Sequence, residues 1–246
     1  MLFNTREEII AMTPEWTGER FEDGRPKVTD KYLDALYGMT LEELWKPIFV
    51  KGYESQFIAM KSLHPEFKED GTVNRKLVGR AVTAMYAPVR PDYKEAMNAM
   101  ARAKGLSGTP NQWVIDSLTD RDVIVIDMFD KVYKGTFLGG NLTTAIHQKT
   151  GNGGAVIWGG IRDIEQMHRV PDVQVYYRGI DTTPIRDFVM TGILPCAAGR
   201  RPGRGHLSAR RRGVRLLRRR AVYPAPAGGG RGGRRGQDTG KRPVRL

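Results

Sequence analysis

Asp120-Arg-Asp-Val-Ile-Val-Ile-Asp127 carries four consecutive branched aliphatics between acidic residues. That is the signature of a short strand covered on both faces, as in sheets with helices packed against them. Ala155-Val-Ile-Trp158 is a second such run, and the segment between them, Asn141 to Thr150, reads as a helix opened by Gly139-Gly140. Downstream, Ile161 to Met167 reads as a short helix, Val173 to Tyr177 as a strand and Asp181 to Asp187 as a loop, with Gly159-Gly160 ending the second strand. Upstream, Lys76 to Tyr86 has the β-branched enrichment of a strand, and Tyr93 to Lys104 reads as a surface helix stopped by Gly105. Strands alternating with helices predict an α/β domain.

The predicted domain covers residues 41–198. Thr40-Leu-Glu-Glu43 has capping-box spacing, and Leu41, Leu44, Trp45, Ile48 and Phe49 recur behind it at helical intervals, which predicts a core-packing helix. Tyr53 to Leu63 continues as a second amphipathic segment. Residues 1–40 are polar and broken by Pro14, Gly18, Gly24 and Pro26, and read as an N-terminal extension with a short helix starting at Thr5-Arg-Glu-Glu.

The net charge of +13 is concentrated at one end of the chain. Residues 200–246 hold 16 Lys/Arg against the single Asp238, while residues 1–199 sum to −2. From residue 199 onward Arg, Gly, Ala and Pro dominate without periodicity, a composition that cannot bury enough surface to offset ordering entropy. Two readings stay open: an Arg/Gly-rich nucleic-acid tail with salt-sensitive phosphate contacts, and, preferred for the suddenness of the change, out-of-frame reading of a GC-rich gene. Nucleic acid is a partner only in the first. The lone Cys196 excludes an internal disulfide, no Cys/His cluster has zinc spacing, and there is no leader-like or membrane-spanning apolar run. The expectation is a cytoplasmic protein whose metal, if any, takes oxygen ligands.

The chemistry-bearing stretch is Gly140-Asn-Leu-Thr-Thr-Ala-Ile-His-Gln-Lys-Thr-Gly151 followed by Gly154-Ala-Val-Ile-Trp-Gly-Gly-Ile-Arg-Asp163. A helix N-terminus at Gly140, Asn141, Leu142 and Thr143 offers amides to a carboxylate or phosphate. The turn after the Ala155 strand places Arg162 and Asp163 at the strand's C-terminal end, where open α/β sheets gather ligands. Asn141 alone would read as a helix N-cap, His147 and His168 as exposed helix residues, and Lys131 and Lys134 as solvated loop lysines by default, with contact to an anionic substrate as the alternative. Asp127 and Asp130 read equally as strand-end acids or pocket carboxylates. Gly151-Asn-Gly-Gly154 precedes a strand, so it is no dinucleotide loop.

With Asn141 followed by 20 residues and then Arg162-Asp163, the stretch resembles the RraA-like family, which includes metal-dependent 4-hydroxy-4-methyl-2-oxoglutarate aldolases. Leu77-Val-Gly-Arg-Ala-Val-Thr83, Asp122-Val-Ile-Val-Ile-Asp127 and Tyr177-Arg-Gly-Ile-Asp-Thr-Thr-Pro184 resemble its flanking segments. The resemblance implies a swivelling α/β domain with a central β-barrel-like sheet wrapped by helices, assembled as homotrimers or hexamers. It implies a lyase, aldolase or oxaloacetate decarboxylase in type, acting on a 2-oxo acid with a pyruvyl unit. Arg162 and Asp163 would be catalytic, and Arg162 with Gly140, Asn141, Leu142 and Thr143 would bind substrate. Mg2+ or Mn2+ would sit on Asp163, with Asn141 acting through water. Asn141 stands where the aldolases carry an acid, and Gln166, beside Glu165, stands where they carry another. The alternative is a non-catalytic RraA-type regulator that binds a ribonuclease or other protein partner.

Overall fold

The computed structural model describes residues 4–53, 58–65, 67–72, 74–151 and 154–192. The boundary expected near Gly199 and both readings of the basic tail lie outside them. Helices α1 (Arg6–Ala11), α2 (Asp30–Gly38) and α3 (Leu41–Val50) come first. Edge strand β1 (Lys61–Ser62), strand β2 (Arg80–Pro88), helices α4 (Pro91–Ala103) and α5 (Pro110–Asp116), and strand β3 (Asp122–Asp127) follow. The second half is α6 (Gly140–Thr150), β4 (Gly154–Ile161), α7 (Ile164–His168), β5 (Gln174–Ile180) and β6 (Val189–Thr191). The six strands form one mixed sheet in the order β1-β5-β4-β3-β2-β6. Its centre, β2-β3-β4-β5, is parallel, and β1 and β6 are antiparallel edges.

Both faces of the centre are buried, as the aliphatic run of β3 requires. Ile124 and Ile126 of β3 join Ile157 of β4, Val175 of β5, Ile115 of α5, Ile146 of α6 and Met167 of α7 in the main core. Val123, Val125, Val156 and Tyr176 face the other way and pack with Met60 and Leu77. At about 25 cal/mol per Å2, burying aliphatic side chains from both faces is the main stabilising term of such a sheet.

Thr40 closes the capping box expected of it, and Thr5, expected only to start a helix, closes one too, each hydroxyl accepting from the backbone of the glutamate three residues on. The rest of α3 departs from expectation. Only Leu41 is buried, while Ile48, Phe49 and Val50 are exposed and Trp45 stacks on Phe49 at 4.7 Å. Helical spacing of apolar residues establishes an apolar stripe and not what covers it. Nor does the Gly159-Gly160 pair end β4. The strand runs through it to Ile161, with an irregularity in its pairing to β5 between Ile157 and Gly160. A Cβ at Gly160 would collide with the Val132 carbonyl and one at Gly179 with the Val132 side chain, so these glycines let the β3–α6 loop lie on β4 and β5. Helices α2 and α5 and strands β1 and β6 are additions to the sequence expectation, β1 falling within the segment read as amphipathic from Tyr53 to Leu63.

The N-terminal segment is fastened to the sheet by charge. Asp122, with a fully buried side chain, accepts from Arg25 Nη1 at 3.1 Å and from the backbone and hydroxyl of Thr119, both at 2.9 Å. Arg80 Nε stands 3.7 Å from its other oxygen, an ion pair beyond hydrogen-bond range. Nearby, Leu33 and Val28 bury themselves on Val78.

Candidate functional site

The site is built where β4 ends and α6 begins. The β3–α6 loop comes back alongside β4, so that Leu138 bridges Ile161 in parallel and the Arg162 amide donates to the Leu138 carbonyl at 2.9 Å. Directly after β4, Asp163 takes the left-handed conformation (φ 59°, ψ 41°) at the N-cap of α7. Asp is among the few residues that visit this region readily. The reversal turns the Asp163 side chain back onto α6, where Oδ2 accepts from the Gly140 amide at 3.2 Å and lies 3.4 Å from Arg162 Nε. Arg162 Nη1 donates to Thr136 Oγ1 at 3.1 Å.

This proximity explains Gly139-Gly140. A Cβ on Gly139 would collide with Asp163 Oδ2 and sit 3.0 Å from Arg162 Nε, and one on Gly140 would collide with Gln166 Oε1 and sit 2.6 Å from the Gln166 Cβ. The pair exists for close approach of α7 and the Arg162-Asp163 turn to the start of α6. Gly139 is also the N-cap of α6, so Asn141 lies inside the first turn and does not cap the helix. An incoming carboxylate, that of Asp163, does part of the capping.

Of the residues expected to form the site, the structure brings Gly140, Arg162 and Asp163 into contact and places Asn141 one residue along, with an exposed side chain. Leu142 is half-buried, its side chain packed against the main core. The amides of Asn141 and Leu142, first-turn donors without intrahelical acceptors, remain the donors open to a ligand. Thr143 does not contribute: its amide and hydroxyl both donate to the Gly139 carbonyl, at 3.0 and 2.9 Å. Asp127 and Asp130 are engaged locally, Asp127 accepting from the Phe129 amide at 2.7 Å and Asp130 pairing with Arg178 at 2.7 Å. His168 meets His64 edge to face at 4.8 Å, and His147 is half-buried. The contacts of Thr136 and Gln166 were not foreseen, because neither has a local pattern that points to Arg162 or Gly140.

Among the described residues no group of three or more His, Cys, Asp or Glu side chains converges. The oxygen donors available to a divalent cation are therefore few. Both protein contacts of the Asp163 carboxylate fall on Oδ2, and its side chain is 38% exposed, which leaves Oδ1 for a cation. One carboxylate with waters fits Mg2+ or Mn2+, hard ions that keep much of their hydration shell.

An arginine, a carboxylate and a helix N-terminus thus gather at the end of a central strand of a mixed α/β sheet. The RraA-like (Aldolase/RraA) family model matches residues 49–190, and the chain belongs to that family. No curated protein sequence matches it. Among solved structures it is similar to RraAS2 of Streptomyces coelicolor, described as an unusual member of the RNase ES inhibitor RraA protein family. The identity is 16% and the TM-score 0.51, over 71% of this chain and 72% of that one. A structure described under novel cellulases from microbes associated with the gut ecosystem aligns at 18% identity and TM-score 0.54, over 77% of this chain and 74% of that one. At such identities these likenesses show the fold. No helix among the described residues is long and apolar enough to cross a membrane.

Proposed function

We propose that the protein is a divalent-metal-dependent carbon–carbon lyase, an aldolase or decarboxylase acting on a 2-oxo acid with a pyruvyl unit. The observation that carries the reading is the left-handed Asp163, which aligns its carboxylate and the Arg162 guanidinium beside the open amides of α6. Non-glycine residues in this backbone region are enriched at ligand sites, where the surroundings hold them in place. In this reading the Asn141 and Leu142 amides hold the pyruvyl carboxylate. Arg162 donates to the 2-oxo oxygen and stabilises the negative charge that develops there as the carbon–carbon bond breaks. Asp163, through Oδ1, and Asn141, through water, would hold Mg2+ or Mn2+, which supplies further electrophilic stabilisation of that oxygen. A homotrimer or hexamer is part of the proposal, and the exposed apolar stripe of α3 is a surface such an assembly would use.

The test is turnover of oxaloacetate and of a 4-hydroxy-2-oxo acid with Mg2+ or Mn2+. Activity lost on chelation, restored by metal and abolished in Asp163→Ala is the expected result. Chelator-resistant turnover would exclude the mechanism. One observation favours the second reading, a regulator that binds a ribonuclease or other protein: Asn141 cannot supply the negative charge or base that a carboxylate would. A chain that turns over neither substrate, yet lowers ribonuclease activity equally with and without metal, would be that regulator.

A further inference from the structure

Arg162 reaches the proposed site from the end of β4, and an arginine left loose there loses most of its value as an oriented donor. Its anchor is Thr136, whose side chain is wholly buried. Thr136 Oγ1 lies 2.7 Å from the Thr183 carbonyl, to which it donates. Because a hydroxyl has one proton, that bond leaves Thr136 only lone pairs to offer Arg162, and Nη1 sits at 3.1 Å to use one. The Thr183 carbonyl is itself held in place. It also accepts the Thr136 amide at 2.9 Å, while the Thr183 hydroxyl accepts the Gly135 amide at 2.8 Å and donates to Asp181 Oδ2 at 2.5 Å. Asp181 further accepts the amides of Lys134, at 2.6 Å, and Thr182, at 2.9 Å. These bonds hold its carboxyl below the usual aspartate range, the Thr183 hydroxyl contributing most. The Asp181 amide in turn donates to the Ile161 carbonyl, immediately before Arg162, at 3.1 Å.

We propose that Thr136 is a positioning residue for Arg162, its hydroxyl fixed as a pure acceptor by the Asp181–Thr183 turn so that the guanidinium is aimed before any ligand arrives. The inference deepens the proposed function, resting on Arg162 as that site's ligand-binding cation. It assigns a role to Asp181-Thr182-Thr183, a turn that otherwise reads as a loop. A threonine is required at 136 because valine has the shape without the acceptor, whereas serine keeps the acceptor.

The test uses the full chain and two independent readouts. The first is the Arg162 Nε–Hε signal by nitrogen-15 NMR, with no ligand present. It should be sharp in the parent and in Thr136→Ser, and should broaden or shift to the value of a freely rotating guanidinium in Thr136→Val. Asp181→Ala, at a half-buried position outside the core, gives an intermediate effect and serves if the valine variant does not fold. The second is kcat/KM for oxaloacetate with Mg2+, expected to fall about tenfold to a hundredfold in Thr136→Val, the range for one lost hydrogen bond to a charged group. The fall should be largely restored by serine. An Arg162 signal unchanged in Thr136→Val, or in Asp181→Ala where the valine variant is unfolded, overturns the positioning role. A parent that turns over no 2-oxo acid while its Arg162 signal still depends on Thr136 overturns the lyase reading and leaves the positioning role standing.

Discussion

Asp122→Ala tests whether the buried charges at the start of β3 hold the N-terminal segment to the sheet. The substitution removes the acceptor of Arg25 Nη1, both Thr119 contacts and the counter-charge 3.7 Å from Arg80 Nε. The arginine side chains are only 10% and 11% exposed, so water does not replace what is lost. Breaking a buried ion pair from one side costs roughly 3–5 kcal/mol, because the surviving charge is stranded. Two features place the expected value at the low end. Arg25 keeps Asp23 at 2.6 Å, and Arg80 keeps Asp30 at 3.0 Å and the Val28 carbonyl at 2.9 Å. Although burial works against its charge, Arg25 is held above the ordinary arginine value by Asp122 first and Asp23 second, consistent with Asp122 as its main partner. The expected loss is about 3 kcal/mol, a large share of the roughly 5–15 kcal/mol that stabilises a typical domain. Urea unfolding followed by circular dichroism measures it. Arg25→Met combined with Asp122→Leu should cost less than Asp122→Ala alone, since the stranded guanidinium leaves with its partner. An Asp122→Ala variant within about 0.5 kcal/mol of the parent, the usual range for surface changes, would refute the reasoning.

Two further outcomes follow from other parts of the fold. His64 Nε2 lies 3.3 Å from Arg75 Nη1, and burial first, then Arg75, then His168 hold its pKa below the ordinary 6.5. Since the folded state resists protonation, this contribution is complete above pH 6.5 and is lost as pH falls below it; the protection factors of the β1 amides, exchange rates corrected for the intrinsic pH dependence, should fall between pH 6.5 and 5, and His64→Gln should flatten that fall. Gly140→Ala should destabilise the chain by about 1–3 kcal/mol through collision with Gln166, and Gln166→Gly in the same chain should recover most of that loss in thermal melting, which an unrelated defect in α6 would not allow.

The elements legible in the sequence are those whose information is local. β3 and β4 announce themselves by uninterrupted aliphatics, α4 and α6 by composition and glycine punctuation, α1 by its Thr5-Arg-Glu-Glu start and α3 by a capping box that the structure closes. What stayed hidden depends on partners distant in the chain. Gly159-Gly160 looks like a strand breaker because glycine lowers strand propensity. Its role, yielding space to Met128 and the Lys131 carbonyl at Gly159 and to the Val132 carbonyl at Gly160, becomes visible only when the loop is in place. The apolar stripe of α3 is real, yet nothing local distinguishes a stripe facing the core from one left exposed. In the proposed site, Arg162-Asp163 stands out in the sequence by its resemblance to the family's pattern, whereas Thr136 lies 26 residues before Arg162 with no periodic signal between them.

Asp163 shows why so small a constellation needs so much scaffolding. One side chain receives the first amide of α6, faces Arg162 and keeps its other oxygen for the proposed cation, an arrangement that its left-handed backbone sets up. The conformation would relax if the two glycines opposite acquired side chains, since Cβ atoms there would occupy the space of its carboxylate and of Gln166. Gly139, Gly140 and Asp163 therefore form one geometric unit distributed over two elements, and a change in any one displaces the others. Asn141 lies outside that unit, exposed on the first turn of α6, where an acid would neither collide with Gln166 nor disturb the Gly140–Asp163 bond. Asn141→Asp is accordingly a substitution that the fold should accept, adding charge near the proposed cation and favouring the N-terminal end of the helix dipole. Metal affinity measured by calorimetry should rise in that variant with thermal stability unchanged or higher. Equal affinity in the two chains would show that the residue at 141 does not reach the cation, even through water.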